Sequence, residues 1–326
     1  MRGATQPSVR AHGVPAASSY LPEGKSCAVC FTIDDVHPGR STDAYEAGGD
    51  RERGALRHVQ WLLDRHPELA VTLFVTPDWR EISPFPTRKL LAALPLVGKH
   101  LYQAPILPRG TMRLDRHPEF TAYLRSLPRT QLALHGLHHV HRGPRLPVEF
   151  QDESRSECAT ILREAMGLFR QADLTLSPGL QPPAWNLTPM LAEAVADVGL
   201  TYVAAARDVV TDVEPGATTN MSGPRGLSLT SPTLIAGGRV VHFTSNFQAT
   251  SPPDRALAIL EVDGVLAIKA HIVKSVGAYV ALDGLDELYR NYLDLLLSRI
   301  EDQFGERVWF TSMEAIADRV LGRAGG

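Results

Sequence analysis

Two adjacent carboxylates end an apolar, strand-like run near the start of the chain. The run Phe31–Ile33 leads directly into Asp34 and Asp35. Successive side chains of a strand point to opposite faces, so the two aspartates are placed to do different jobs at one centre. A carboxylate at the end of a buried strand must be solvated, paired or bound to a metal. On this feature alone, a pair of turn carboxylates that begins the next loop is the favoured interpretation.

A cluster of histidines follows a second apolar run, Leu132–Leu134. It contains four of the twelve histidines of the chain, His135, His138, His139 and His141. Imidazole is the commonest metal-binding side chain, and a catalytic zinc takes three protein ligands and a water. Two of these histidines with one aspartate would form such a set. The alternative is a surface cluster at a strand exit.

Aromatic and histidine side chains mark the ends of further strand-like runs. Trp185 follows the run Thr175–Gln181, where it would form either a stacking platform for a sugar or a core residue under a loop. His271 follows the run Val265–Ala270, and His242 lies at the end of another run and is a candidate for the pocket lining. In parallel α/β barrels the active site lies at the carboxyl ends of the strands, and this shared position favours function.

The elements that position these residues alternate between short apolar runs and amphipathic helical patterns. This alternation predicts an α/β fold with a mostly parallel sheet and enough units to close as a barrel. The predicted strands are Cys27–Ile33, Ala70–Thr76, Gln131–Leu134, Thr175–Gln181, Thr201–Ala205, Arg239–Phe243, Val265–Ala270 and Val308–Thr311. The predicted helices are Ala55–Arg65, Ser154–Arg170, Thr188–Val198, Pro253–Leu260, Leu285–Gln303 and Ser312–Leu321.

One domain accounts for this pattern better than two. Residues 1–25 have the composition of a flexible tail, and residues 26–322 form the predicted barrel. Two proline-rich stretches, Pro77–Pro108 and Val213–Gly238, are predicted as long loops because strand–helix units continue after both.

The overall composition excludes several classes of protein. The formal net charge is −3, without the basic stripe of a nucleic-acid-binding protein. The sequence contains neither an apolar run of membrane-spanning length nor a secretory signal, and three cysteines are too few for a disulfide framework. We therefore expect a cytoplasmic protein whose partner is a small molecule, with no nucleic acid and no membrane.

The four motifs, in this order and spacing, resemble those of the polysaccharide deacetylase family (carbohydrate esterase family 4, NodB-homology domain). They comprise the aspartate pair, the His135–His139 spacing, the Pro-Pro-Ala-Trp segment and the late strand that ends in His271. The resemblance extends from Ala28 to about Val320. It implies a distorted (β/α)7 barrel of the NodB-homology type, with long loops over the carboxyl-terminal face.

The resemblance also implies a role for each motif residue. Asp35, His135 and His139 would be the metal ligands, Asp34 the general base and His271 the general acid. The implied cofactor is Zn²⁺ or another divalent transition metal such as Co²⁺, Ni²⁺ or Fe²⁺. The residues expected to contact substrate are Trp185, Pro183, Asn186, His37 and His242.

Three positions depart from the family pattern. Val36 stands where the family has a glycine and is followed by His37, so the first loop is bulkier. Gly136 replaces a serine or threonine, which removes a hydroxyl group but not a ligand. Gln181 lies near the place of the arginine that orients the base, and this changes the charge around Asp34. Two other histidines, His138 and His141, fall outside the ligand pattern and are predicted to support the ligands or to lie on the surface.

These residues together predict a zinc-dependent hydrolase that acts on carbon–nitrogen bonds other than peptide bonds. The expected reaction is N-deacetylation of an amino sugar or of a sugar-containing small molecule, through metal-activated water, an aspartate base and a histidine acid. One alternative is hydrolysis of a non-sugar C–N bond, as in the allantoinase-like members that the C-terminal motif resembles. Another is a catalytically inactive carbohydrate-binding barrel. The sequence does not determine the oligomeric state.

Overall fold

The structure is a computed structural model, and every element below lies within the residues that it describes. These are residues 9, 11–39, 51, 54–81, 89–92, 94–97, 106–140, 149–185, 187–207, 227–272, 275–276, 279–280 and 283–323. The strands are β1 (Cys27–Val36), β2 (Val71–Val75), β3 (Asp78–Trp79), β4 (Met112–Arg113), β5 (Thr130–Leu134), β6 (Gly179–Leu180), β7 (Tyr202–Arg207), β8 (Thr233–Ile235), β9 (Val240–Ser245), β10 (Val265–His271), β11 (Ser275–Val276), β12 (Tyr279–Val280) and β13 (Val308–Phe310).

Helices connect most of the parallel strands and cover the sheet. They are α1 (Ala17–Tyr20), α2 (Ala55–Arg65), α3 (Lys89–Ala92), α4 (Pro118–Ser126), α5 (Arg155–Gln171), α6 (Pro189–Asp197), α7 (Pro253–Glu261), α8 (Glu287–Phe304) and α9 (Met313–Val320). The strand order of the main sheet is β10-β1-β2-β5-β6-β7-β9-β8. All of these pairs are parallel except β8 with β9, and β13 adds a short parallel pair to β1. The predicted α/β class with a parallel sheet is confirmed.

The two faces of the sheet bury two different apolar clusters. Ala28 and Cys30 of β1 face an inner cluster that also contains Phe74 of β2 and Phe243 of β9. The alternate residues of the same strands, such as Val29, pack outward against the helices. This period-two division gives each strand a barrel face and a helix face, as expected for a parallel sheet that is covered by helices.

The outer strands β9 and β10 meet through a short irregular seam. The Phe247 amide donates to the Ala267 carbonyl at 3.2 Å, and the Lys269 amide donates to the Phe247 carbonyl at 2.9 Å. The Asn246 side chain bridges the same strands, since it donates to Val265 and accepts from the Ala267 amide, both at 2.8 Å. One side chain and two main-chain hydrogen bonds therefore join these strands, in place of the regular ladder of hydrogen bonds that would close the barrel.

The segment before β1 packs over the amino ends of the strands. Tyr20 and Leu21 are buried in the inner cluster together with Met313 and Ile316 of α9. The composition of residues 1–25 predicts a flexible tail, whereas this part of it covers the barrel because it supplies large apolar side chains. The domain boundaries themselves stay a prediction.

Most predicted elements are found near their predicted positions, and the differences have local causes. The predicted strand Thr175–Gln181 shortens to β6, because Pro178 has no amide hydrogen for the ladder. The predicted loop Pro77–Pro108 contains β3 and α3 in its described part, and the described part of Val213–Gly238 contains β8. Among the described residues, none of the helices has the length and apolarity that a membrane crossing requires.

Gly179 tests the packing of the barrel interior. A Cβ at this position would lie 2.0 Å from Cζ of the buried Tyr202 ring. We expect Gly179→Ala to lower the free energy of unfolding by about 1–3 kcal/mol, the usual cost of overpacking a core, as measured by urea denaturation. Gly167→Ala is the matched control, because its nearest neighbouring atom is 3.8 Å away in α5. Equal stability of the two variants would contradict this account of the interior.

Candidate metal centre and active site

The carboxyl ends of β1, β5 and β10 bring the sequence motifs together. Asp34 and Asp35 lie at the end of β1, His135 follows β5, and His271 ends β10. The parallel register aligns Asp34 with His271 across the β1–β10 pair. All four side chains are buried, at 6% exposure or less. The predicted convergence of these motifs at one edge of the sheet is therefore present.

A bulge at the end of β1 separates the two aspartates. The register between β1 and β2 shifts between Ile33 and Val36, and Asp35 adopts φ +62° within this shift. Aspartate tolerates the left-handed region better than most residues, and a bulge re-aims the side chain that it carries. Asp34 continues the inner face of β1. Asp35 turns towards the histidine loop, the segment His135–His139 that follows β5.

Three side chains form a candidate metal-binding set. The Asp35 Oδ1 atom lies 2.8 Å from His135 Nε2 and 3.2 Å from His139 Nε2. The candidate ligand atoms of the three residues all lie within 4.8 Å of one another. Two imidazoles and one carboxylate match the donor types of a catalytic transition-metal site that keeps a position open for water.

The hydrogen bonds of the two imidazoles explain why this set fits a cation. The carbonyl of Gln181 can only accept, so His135 Nδ1 donates to it at 2.8 Å. The Glu81 carboxylate likewise accepts from His139 Nδ1 at 2.8 Å. In a neutral ring, each bond leaves the Nε2 lone pair directed at the Asp35 carboxylate. Burial, with a smaller contribution from His139, lowers the pKa of His135 to about 3, so this ring is neutral. Lone pairs and a carboxylate that converge on one point need a positive charge between them.

The segment Asp78–Arg80, which follows β2, supports the histidine loop. The Asp78 amide donates to the Leu137 carbonyl at 3.1 Å, and the Arg80 amide donates to the His138 carbonyl at 3.2 Å. The His138 side chain contacts the same segment through Nδ1, which lies 3.0 Å from the Asp78 carbonyl. This agrees with the supporting role predicted for His138, while His141 lies outside the described residues.

His37 packs against Trp79 of this segment. Its ring stacks on Trp79 at 4.2 Å between centroids, and Trp79 stacks in turn on His139 at 4.6 Å. His37 Nδ1 donates to the Asp35 carbonyl at 2.7 Å. Burial, and to a lesser degree His139, lowers the pKa of His37 to about 3. His37 is therefore a neutral, fully buried neighbour of the metal set, and its predicted contact with substrate stays a prediction.

A row of charged and polar side chains lies on the Asp34 side of the site. His271 Nε2 is 3.4 Å from Asp34 Oδ2, and His271 Nδ1 is 3.0 Å from Asp283 Oδ2. The same Asp283 oxygen contacts Nζ of the fully buried Lys269. Burial by itself raises the pKa of Asp283, but His271 and Lys269 outweigh it and hold that pKa well below its ordinary value. Asp283 is thus an ionised carboxylate close to the far side of the His271 ring.

Trp185 contacts two residues of this row. Its ring lies edge-on to His271 at 5.1 Å, and Lys269 Nζ is 3.6 Å from its centroid. Trp185 adopts φ +56° and is 7% exposed, at the edge of the site rather than in the apolar core. Pro183 is buried beside Gly136, and Asn186 lies outside the described residues. The predicted substrate contacts of these three residues are not tested by the geometry.

His242 takes a different position from the other candidates. It alternates along β9 with Val241 and Phe243, which face the inner cluster, so its own side chain faces the helices. Its Nε2 atom bonds the Ala205 carbonyl, and burial lowers its pKa to about 4. The structure does not bring His242 together with Asp34 and His271, which lie on the inner face.

Four residues of this site were not among the sequence predictions. Lys269 could have been found, because a lysine two residues before His271 in an apolar strand shares its face. Glu81, Glu149 and Asp283 carry no such signal, since each comes from a loop and reaches the site only through the tertiary fold. They contact His139, the histidine loop and His271, respectively.

Comparison with solved structures identifies proteins of the same fold. A protein from Mycobacterium smegmatis that is assigned as a polysaccharide deacetylase is 14% identical, with a TM-score of 0.54 over 97% of this chain and 96% of that chain. Puue allantoinase is 12% identical, with a TM-score of 0.52 over 94% of each chain. No protein-family model and no curated protein matches the sequence. The resemblance to the polysaccharide deacetylases that the motifs predict is confirmed at the level of the fold.

The candidate metal set predicts that loss of one ligand removes most of the affinity for a divalent ion. We expect Asp35→Asn and His135→Ala to weaken Zn²⁺ binding by more than the about 10- to 100-fold typical of a lost outer-shell contact. Competition with a chromophoric chelator on metal-stripped protein measures this affinity. His12→Ala is the control, because that side chain is exposed and distant in sequence. Unchanged affinity in both ligand variants would refute the assignment.

Proposed function

We propose that this protein is a metal-dependent amide hydrolase that removes the acetyl group from an N-acetylated amino sugar or a sugar-containing small molecule. One observation carries the proposal. The metal-binding set of Asp35, His135 and His139 stands beside a second pair, Asp34 and His271, whose groups are suited to move protons. Hydrolysis of an unactivated amide needs both an activated water and a proton for the departing amine.

A divalent transition metal is the proposed cofactor, Zn²⁺ first. When bound, such an ion lowers the pKa of a coordinated water towards about 7 and polarises a carbonyl oxygen. Asp35, His135 and His139 would hold it, with the two imidazoles fixed in the required tautomer by Gln181 and Glu81. The proton transfers of the proposed reaction are carried out by side chains of the protein itself.

Asp34 is the proposed general base. Neither of its carboxylate oxygens accepts a hydrogen bond from the described residues, although the side chain is fully buried. Buried carboxylates are normally satisfied, and an unsatisfied one in a site of this kind is available to accept a proton from the attacking water. The Asp34 carboxylate is also close enough to the metal-binding set to act on the pKa of His135, which it raises against the larger effect of burial.

His271 is the proposed general acid. Its Nε2 atom faces Asp34 across the site, while its Nδ1 atom faces the ionised Asp283. With Asp283 on the far side of the ring, Nε2 faces the site, where it would donate a proton to the departing amine. The fully buried Lys269 contacts the same Asp283 carboxylate through Nζ and balances its negative charge.

The position of Trp185 favours a sugar as the part of the substrate next to the amide bond that is cleaved. Its indole ring lies edge-on to His271, and aromatic rings at the rim of a site are common platforms for the apolar face of a sugar. The fold shared with the assigned polysaccharide deacetylase supports the acetyl group as the part removed.

Acetate release tests the proposed reaction directly. We expect the protein to release acetate from at least one member of a panel of N-acetylated amino sugars and their small conjugates. Chelation should abolish release, and added Zn²⁺ or Co²⁺ should restore it. Enzymatic detection of acetate, with a boiled-protein control, measures the rate.

Other results of the same panel identify the alternatives. Ammonia or a ring-opened product from a cyclic amide such as allantoin, without acetate release, would replace the proposal with hydrolysis of a non-sugar C–N bond. Saturable sugar binding without any product would indicate a carbohydrate-binding barrel.

Asp34→Asn separates the base from the metal site. We expect this variant to keep its metal affinity and to lose about 10²- to 10⁴-fold in kcat, the usual contribution of a positioned proton acceptor. Asparagine has nearly the same shape but cannot take the proton of the attacking water. Full activity of the metal-loaded variant would exclude Asp34 as the base.

A further inference from the structure

The loop that carries the histidine ligands has an unusual main-chain conformation. Gly136 has φ +72° and His139 has φ +50°, so the chain enters the left-handed region at both ends of the loop. A left-handed histidine is strained, and such a conformation persists only where the surroundings hold it. The main-chain amides of the residues between these two positions point to one place.

The side chain of Glu149 occupies that place. Its carboxylate accepts from the amides of Leu137 at 3.1 Å, His138 at 3.0 Å and His139 at 3.1 Å. Successive amides that converge in this way form a concave anion site, and here the anion is a side chain of the same molecule. Glu149 also cancels the partial positive charge of these amides, which would otherwise oppose a cation nearby.

Gly136 and Glu149 fit one another. A Cβ on Gly136 would lie 2.2 Å from Glu149 Oε2, so the carboxylate enters space that only a glycine leaves free.

We propose that Glu149 is a positioning residue of the metal centre. It fixes the main chain at His139, while Glu81 fixes the imidazole of the same residue, so two carboxylates together orient one metal ligand. Glu149 does not itself belong to the metal-binding set. The proposal depends on the metal site of the proposed function but not on the identity of the substrate.

The experiment measures the affinity of metal-stripped protein for Zn²⁺ and Co²⁺ by chelator competition in the wild type, Glu149→Gln and Glu149→Ala. We expect both variants to bind about 10- to 100-fold more weakly, as is typical when an outer-shell partner is lost. Sodium formate should restore affinity to Glu149→Ala, because the vacated site has room for a small carboxylate. Formate should not help Glu149→Gln, whose amide fills the space and turns N–H donors towards the main-chain amides.

The controls separate this role from a general effect on folding. Glu164→Gln removes the same charge from an exposed position of α5 and should leave the affinity unchanged with or without formate. Circular dichroism and thermal unfolding of each metal-free variant establish that it folds. If Glu149→Ala does not fold, Glu149→Gln is compared alone with Glu164→Gln, since it conserves size.

The outcomes are distinguishable. Weaker binding in the Glu149 variants with rescue of Glu149→Ala supports the proposal, as does weaker binding of Glu149→Gln alone where the alanine variant does not fold. Wild-type affinity in a folded Glu149→Gln overturns the proposal and leaves the proposed function intact, and so does weakened binding of a folded Glu149→Ala that formate does not restore. Absence of metal binding by the wild type overturns both.

Discussion

The convergence of one buried carboxylate with two imidazole Nε2 atoms is the constraint on which the rest of the site depends. Asp35, His135 and His139 bring three candidate ligand atoms close together inside the protein, where bulk water cannot screen them. Such an arrangement is unfavourable without a cation, so the protein needs strong supports to maintain it. The bulge in β1, the Gln181 carbonyl and the Glu81 carboxylate are these supports, and each acts on a single ligand.

On the Asp34 side of the site, buried negative charge is balanced by charged side chains of the protein itself. Asp34 and Asp283 are buried carboxylates, and His271 lies between them. The ammonium group of Lys269 balances this negative charge from within the barrel and also contacts the Trp185 ring. Lys269 belongs to β10, the strand that also carries the proposed acid His271.

Rigid strands and variable loops contribute different parts of this site. Asp34, Lys269 and His271 lie in β1 and β10, whose backbone positions are fixed by the sheet. Glu81, Glu149 and Asp283 come from connecting segments that fold back over the carboxyl ends of the strands. The strand residues can therefore retain one arrangement while the loops differ, which agrees with the use of this fold by proteins of different assigned activity.

The sequence by itself determined the strand–helix order, the parallel sheet and the residue types at the carboxyl ends of the strands, because hydrophobic periodicity and motif spacing are local properties. It did not determine the seam at Asn246, the packing of Tyr20 or the shortening of β6, which depend on neighbouring strands. Only the tertiary structure decided the partners of the motif residues. Glu81 lies 58 residues before His139 and bonds it, and His242 faces away from the site although it ends a strand as His271 does. Hydrogen bonds and burial depend on neighbours in space. The spacing of residues along the chain therefore identifies the candidate ligands but not the groups that hold them in place.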